Sequence, residues 1–158
     1  MGIENQDPPE FHLSVLNMQI REMMNAVLRP HGLKLVEWRL LQCLADQGAL
    51  SICDLATLAV IERTATSRLV DRMLERGLVS KEQMEDDRRF SRVSLCDAGR
   101  VKLEACTEDV HAVRQKLFEG LEQVEIASLL TILKRLQRGC AAVMADRVAI
   151  PIPARKKR

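Results

Sequence analysis

Residues 62–99 read ERTATSRLVDRMLERGLVSKEQMEDDRRFSRVSLCDAG, and the fold turns on how this stretch divides. At about 100° per residue, Ala65, Leu69, Val70 and Met73 gather on one side of a helix running from Arg63 to Glu75. Thr64, Ser67, Arg68 and Asp71 gather opposite, with Arg63 and Arg72 at the flanks, while Thr66 falls toward the buried side. Gly77 closes the helix as its C-cap. The period then changes. Leu78 to Gln83 and Phe90 to Leu95 predict two strands, the second alternating Ser91, Val93 and Leu95 against Phe90, Arg92 and Ser94. Between them, Met84-Glu85-Asp86-Asp87-Arg88-Arg89 forms a charged hairpin tip.

Working outward, Ser51-Ile52-Cys53-Asp54 fits the capping pattern of a short helix that ends at the break Val60-Ile61-Glu62. A short capped helix, a tight turn, a second helix and a charged hairpin make the layout of a winged helix-turn-helix. A major groove about 12 Å wide admits one helix, and the narrower minor groove admits a hairpin tip. Arginine gains from the strong negative potential of a narrow minor groove. Further upstream, Val36 to Asp46 carries Leu40, Leu41 and Leu44 on one face; Trp38 is read as core, with ligand contact as the alternative. Asp7-Pro8-Pro9-Glu10 predicts a first helix capped by Asp7, with Leu13, Leu16, Ile20, Met23 and Val27 on its apolar face, stopped by Pro30 and Gly32. Downstream, Asp97 is expected to cap one long fifth helix through Leu103, Cys106, Val110, Val113, Leu117 and Leu121, ending at Gly120. A sixth follows, with Ile126, Leu129, Leu130, Leu133, Leu136, Cys140 and Val143 on one stripe, until Ile150-Pro151-Ile152-Pro153 breaks it.

The expected fold is mainly α with a small two- or three-stranded β wing, a winged helix-turn-helix with terminal dimerisation helices. All 158 residues read as one domain: about 36–96 the winged part, 8–30 and 97–147 the dimerisation helices, and 148–158 a basic tail. Long apolar faces at both ends of a chain need a partner, and a second copy supplies it.

Composition narrows the function. Aromatics are 3%, with one Trp and no Tyr, too few for the base-stacking platforms of single-strand binders. Lys and Arg number 24 against 22 Asp and Glu, but Arg155, Lys156, Lys157 and Arg158 supply four of the positives, so the rest of the chain is net negative. Nucleic-acid binding must therefore come from local arrangement. The start of the chain lacks a signal-peptide pattern, and the longest apolar run, Cys140 to Ala145, is far short of the roughly 20 residues a spanning helix needs. The expectation is a cytoplasmic protein with no membrane partner. Five cysteines (43, 53, 96, 106 and 140) show no C-x-x-C pair and no grouping with His12, His31 or His111, so neither metal nor disulfide framework is expected. They read as small buried hydrophobes, with a redox-sensing thiol as the alternative. No nucleophile–base pair, phosphate-binding glycine loop or paired-carboxylate motif is recognisable. The chain is read as no enzyme, and no cofactor is expected.

The stretch Glu62 to Val79, followed by Asp87-Arg88-Arg89-Phe90-Ser91-Arg92-Val93-Ser94-Leu95-Cys96-Asp97-Ala98-Gly99, resembles the MarR family of bacterial transcription regulators. D-R-R followed by V-x-L-x-x-x-G is the most specific part. Cys96 stands where the family most often has Thr. The resemblance implies a homodimer on a palindromic double-stranded operator, with the fourth helix in the major groove and the wing in the minor groove. It also implies repression relieved by a small phenolic or aromatic carboxylate ligand, or its coenzyme A thioester. Carried over by position, Arg63, Thr64, Ser67 and Arg68 match the family's recognition-helix positions, and Asp87 and Arg89 its wing D-x-R; Arg72 at the helix flank and Arg88 in the hairpin tip join them as DNA-binding candidates by their own placement. His12, Arg21 and Trp38 are candidates for the ligand, on helices where family pockets are walled. A branch of the family senses peroxide through an early cysteine and tyrosines; this chain has no Cys before Cys43. The alternatives are a cysteine-based redox sensor on the same fold and a module that binds no DNA.

Overall fold

A computed structural model describes residues 7–84 and 87–148, which fall into two compact units, Met1–Val113 and Arg114–Arg158. The tail at 149–158, with its basic run, and the tip residues Glu85 and Asp86 lie outside the described residues.

Helix α1 (Pro9–Leu28) is capped by Pro8 rather than Asp7, with no side-chain cap bond. The prolines explain the correction: a cap at Asp7 would put Pro9, which has no N–H, where a capped amide belongs. A single 3-10 turn, Arg29–His31, ends at Gly32, whose φ of +68° is left-handed. Helix α2 (Leu35–Gln47) opens on two side-chain acceptors: Glu37 takes the Lys34 N–H at 3.0 Å, and Asn25 of α1 takes the Leu35 N–H at 2.9 Å. Strand β1 (Leu50–Ser51) leads into α3 (Ile52–Ala59), where Ser51 Oγ accepts the Asp54 N–H at 3.1 Å as the capping pattern predicts.

Helix α4 (Arg63–Glu75) has the bounds expected of it. Its C-cap is Arg76 rather than Gly77; Gly77 follows at φ +66°, where the left-handed turn needs it. Strands β2 (Val79–Met84) and β3 (Asp87–Leu95) form the hairpin, and the sheet order is β1-β3-β2, all antiparallel. The register sets Lys81 and Leu50 opposite Val93, and Ser51 and Glu82 opposite Arg92.

The expected long fifth helix is two: α5 (Asp97–Ala105) and α6 (Thr107–Phe118), the latter ending before Gly120. Cys106 Sγ and Thr107 Oγ1 both donate to the Leu103 carbonyl, at 3.2 and 2.9 Å, and such back-bonding bends or interrupts a helix. The N-cap of α5 is Cys96; Asp97 is its first residue. Gly99 is buried where α5 crosses the start of the hairpin, and a Cβ there would collide with the Leu78 carbonyl. That close approach gives the G of V-x-L-x-x-x-G its physical reason.

The core of the first unit joins Leu28, Leu40, Leu41, Leu55, Met73, Leu78 and Val93, all fully buried. Trp38 packs half-buried against it, as the core reading has it. Two cysteines, Cys43 and Cys106, are buried as expected; Cys53 and Cys140 are exposed and Cys96 is half-buried, so the buried reading fails for these. In the second unit, α7 (Gln123–Val148) keeps Val124, Leu130, Ile132 and Leu136 exposed.

Candidate nucleic-acid interface

Helix α4 is positioned from below by Leu69, Val70 and Met73, which are buried in the core together with Thr66. The Thr66 hydroxyl donates to the Glu62 carbonyl at 3.0 Å, so it is spent on the helix and faces away from solvent as the periodicity places it. Arg63, Thr64, Arg68, Asp71 and Arg72 are exposed and Ser67 is half-buried at the edge of the same face.

The start of this helix carries its own electrostatics. Glu62 Oε2 accepts the Ala65 N–H at 2.8 Å. Hydrogen bonds from the Thr64 and Ala65 amides, with the Thr64 hydroxyl, hold the Glu62 carboxyl below the usual carboxylate range. An acid at the positive end of a helix is stabilising in itself. Here it also sits beside Arg63 and engages the Thr64 hydroxyl.

A cleft of about 480 Å³ opens between α3, α4 and the sheet, lined by Ser51, Ile52, Cys53, Arg63, Thr64, Ser67 and Ser91. Three recognition-helix candidates, Arg63, Thr64 and Ser67, thus meet three residues from the α3 start and one from β3. Sequence reasoning gave Ser51 only a capping role and did not single out Cys53 or Ser91 for this surface. The strand alternation carried the signal for Ser91: it shares a face with Val93, which points into the core, and so lies under α4 further out along β3. Four hydroxyls, a thiol and a guanidinium line a concave polar surface suited to phosphate oxygens and base edges, with the Ser51 hydroxyl donating to Asp54 Oδ2 at 2.7 Å. Lys81 of β2, also not singled out, meets Asp71 of α4 at 3.9 Å.

Asp87, Arg88 and Arg89 open β3, and their side chains lie outside the described residues. Arg92, further along the strand, is exposed. His12 and Arg21 are both exposed on α1, His12 meeting Phe11 edge-on with ring centroids 6.0 Å apart. The 480 Å³ cleft contains none of His12, Arg21 and Trp38.

Residues 33–90, from just before α2 to the first turns of the wing's return strand, match the family model described as the MarR family. This segment of the chain matches the MarR family. The chain is 26% identical over 129 residues to a Pseudomonas putida protein named as the HTH-type transcriptional repressor IacR, covering 82% of this chain and 77% of that one. A mutant of the E. coli MarR protein complexed with operator DNA superposes with a TM-score of 0.76 at 22% identity, over 86% of this chain and 99% of that one. BpsR of Bordetella bronchiseptica, whose DNA binding is described as regulated by 6-hydroxynicotinic acid, gives 0.68 at 22% identity, over 80% and 98%. Family and fold are those of transcriptional regulators, not enzymes. Among the described residues no helix is long and apolar enough to cross a membrane.

Proposed function

We propose that this chain is a homodimeric, ligand-responsive repressor that binds a palindromic operator in the cytoplasm. The observation that carries the reading is the exposed polar face of α4, set beside the hydroxyl-lined cleft and flanked by the wing. Arg63, Thr64, Ser67, Arg68 and Arg72 reach base edges and phosphates of the major groove. Asp87, Arg88 and Arg89 serve the minor groove, the carboxylate holding a guanidinium in place before DNA arrives. Residues 36–96 act as the reading head, 8–30 and 97–147 as dimerisation helices, and 148–158 as a basic tail.

A structural neighbour regulated by 6-hydroxynicotinic acid and another bound to operator DNA support the release of DNA by a small aromatic acid. His12 and Arg21 offer a carboxylate a charge partner, and Trp38 offers an aromatic face. A ligand that prefers a dimer with wrongly spaced helices a hundredfold, about 2.7 kcal/mol, shifts operator occupancy when the two states start near balance.

Arg89→Ala tests the wing. It is expected to weaken binding to an operator fragment and to unrelated duplex alike in a mobility-shift titration, with a shallower salt dependence. An unchanged titration would remove Arg89 from the interface. A second reading, oxidant sensing, draws on the exposed Cys53 in the cleft. It requires that peroxide weaken DNA binding of the unmodified chain but not of Cys53→Ser.

A further inference from the structure

Two polar side chains, Thr66 and Glu37, are buried among the described residues. Thr66 is accounted for by its own helix; of Glu37, 5% exposed, the start of α2 uses only one carboxylate oxygen. Its Oε2 accepts the Lys34 N–H, and its Oε1 accepts from Arg76 Nη1 at 3.0 Å. Arg76 is the C-cap of α4, and its second terminal nitrogen donates to the Gly32 carbonyl. The neighbouring carbonyl, of His31, accepts from Lys102 Nζ of α5 at 2.9 Å, and the His31 ring meets Asp109 of α6 at 2.7 Å. The short turn between α1 and α2 is therefore held by the end of α4 and by α5 and α6.

Taking a carboxylate out of water is costly, and its pair with Arg76, whose side chain is 37% exposed and so screened by water, returns little net stability. What it supplies is geometry. A planar guanidinium that must satisfy a carboxylate and a carbonyl at once fixes the direction from which it arrives. Arg76 leaves α4 at its last turn, so that direction is the tilt of the helix. Base-edge recognition needs its groups held to within about 0.5 Å and 10–20°.

We infer that Arg76 is a positioning residue for DNA recognition: by gripping Glu37 and the Gly32 carbonyl it sets the angle at which α4 is presented, without touching nucleic acid. This rests on the DNA-binding reading above. The full chain is used to enrich a duplex from a random-sequence library, and affinity is measured for that duplex and for an unrelated one. Glu37→Gln with Arg76→Met removes both charges while keeping an acceptor for the α2 cap, so the fold survives; circular dichroism verifies it. The folded double variant is expected to lose at least about tenfold for the enriched duplex, the worth of one bidentate base contact. It should keep its affinity for unrelated duplex and its salt dependence, and Arg76→Lys should fall between. A merely structural pair would lower the melting temperature and leave the ratio of the two affinities unchanged, which overturns the inference. So does an equal loss on both duplexes with a shallower salt slope, which makes Arg76 a phosphate contact. If the unmodified chain enriches no duplex, the DNA-binding reading itself fails, and this inference with it.

Discussion

Cys96 occupies the N-cap of α5 in extended backbone, φ −84° and ψ 163°, with no side-chain bond to the first turn. A thiol is a weak acceptor, and a hydroxyl at this position takes an orphan amide of the helix. Cys96→Thr, which restores the residue the family most often has, is expected to raise stability by about 0.5–2 kcal/mol in urea denaturation. A destabilised variant would show that the thiol packs in a way a hydroxyl does not tolerate. Val60 presents the opposite case, a residue at odds with its backbone. It turns the chain from α3 into α4 at φ +57°, left-handed, with 88% of its surface exposed. That conformation costs a residue with a Cβ about 1–2 kcal/mol, and Gly removes the cost while adding about 0.5–1 kcal/mol of unfolded-state entropy. Val60→Gly is therefore expected to stabilise slightly, by up to about 1 kcal/mol, in the same denaturation series. A loss of stability would mean that the turn is not strained. The sequence marked a break at Val60-Ile61-Glu62 but could not show its form, because a β-branched residue is the last one expected in a left-handed turn.

At the scale of elements, α4 was legible and α5–α6 was not, and the reason is physical. The buried face of α4 repeats at helical spacing, with the break at Val60-Ile61-Glu62 before it and a glycine after it, so burial, period and termini agree. The break at Cys106 leaves the apolar spacing undisturbed; it comes from two side chains competing for one carbonyl, which no periodicity records. Strand β1, two residues long, exists because β3 lies beside it some forty residues later in the chain. In the interface the outward face of α4 was readable, whereas the cleft depends on three elements meeting, so Ser51, Cys53 and Ser91 gave no joint signal. The pH response belongs to this scale too. Glu62 has a folded-state pKa below its unfolded value, so its cap contribution is complete above the ordinary carboxylate range and is lost as pH falls through the folded-state pKa. In an NMR titration the Thr64 and Ala65 amides are expected to move with a midpoint below that range, and Glu62→Gln should abolish the transition. Amides that titrate at the ordinary carboxylate pKa would show that the cap does not hold the charged form.

At the scale of the whole molecule, the question is what covers the apolar surface that each unit leaves in water. Helix α1 exposes Phe11, Leu13, Leu16 and Met18, and α7 exposes Val124, Leu130, Ile132, Leu136, Val143 and Met144. Burying a side chain of this size stabilises by about 1.5–3 kcal/mol, so a face of several is a strong drive to associate. A second copy also serves the proposed function, because a two-fold pair carries two recognition helices about one DNA turn apart, roughly 34 Å. In the proposed dimer, association sets both stability and affinity. The melting temperature is expected to rise with protein concentration, as it does when the folded chain is stabilised by its partner. Leu130→Asp combined with Leu136→Asp is expected to sediment as single chains. Its affinity for a palindrome should drop toward that for one half-site, because the second contact of a linked pair adds about 10²–10⁴-fold without any new interaction. The Arg68→Ala substitution should still weaken what half-site binding is left, since α4 belongs to the other unit and in the proposed complex reads its own half. A doubly substituted chain that sediments alone yet binds the palindrome undiminished would mean that one copy reads DNA by itself, and the apolar face of α7 would then need a different occupant.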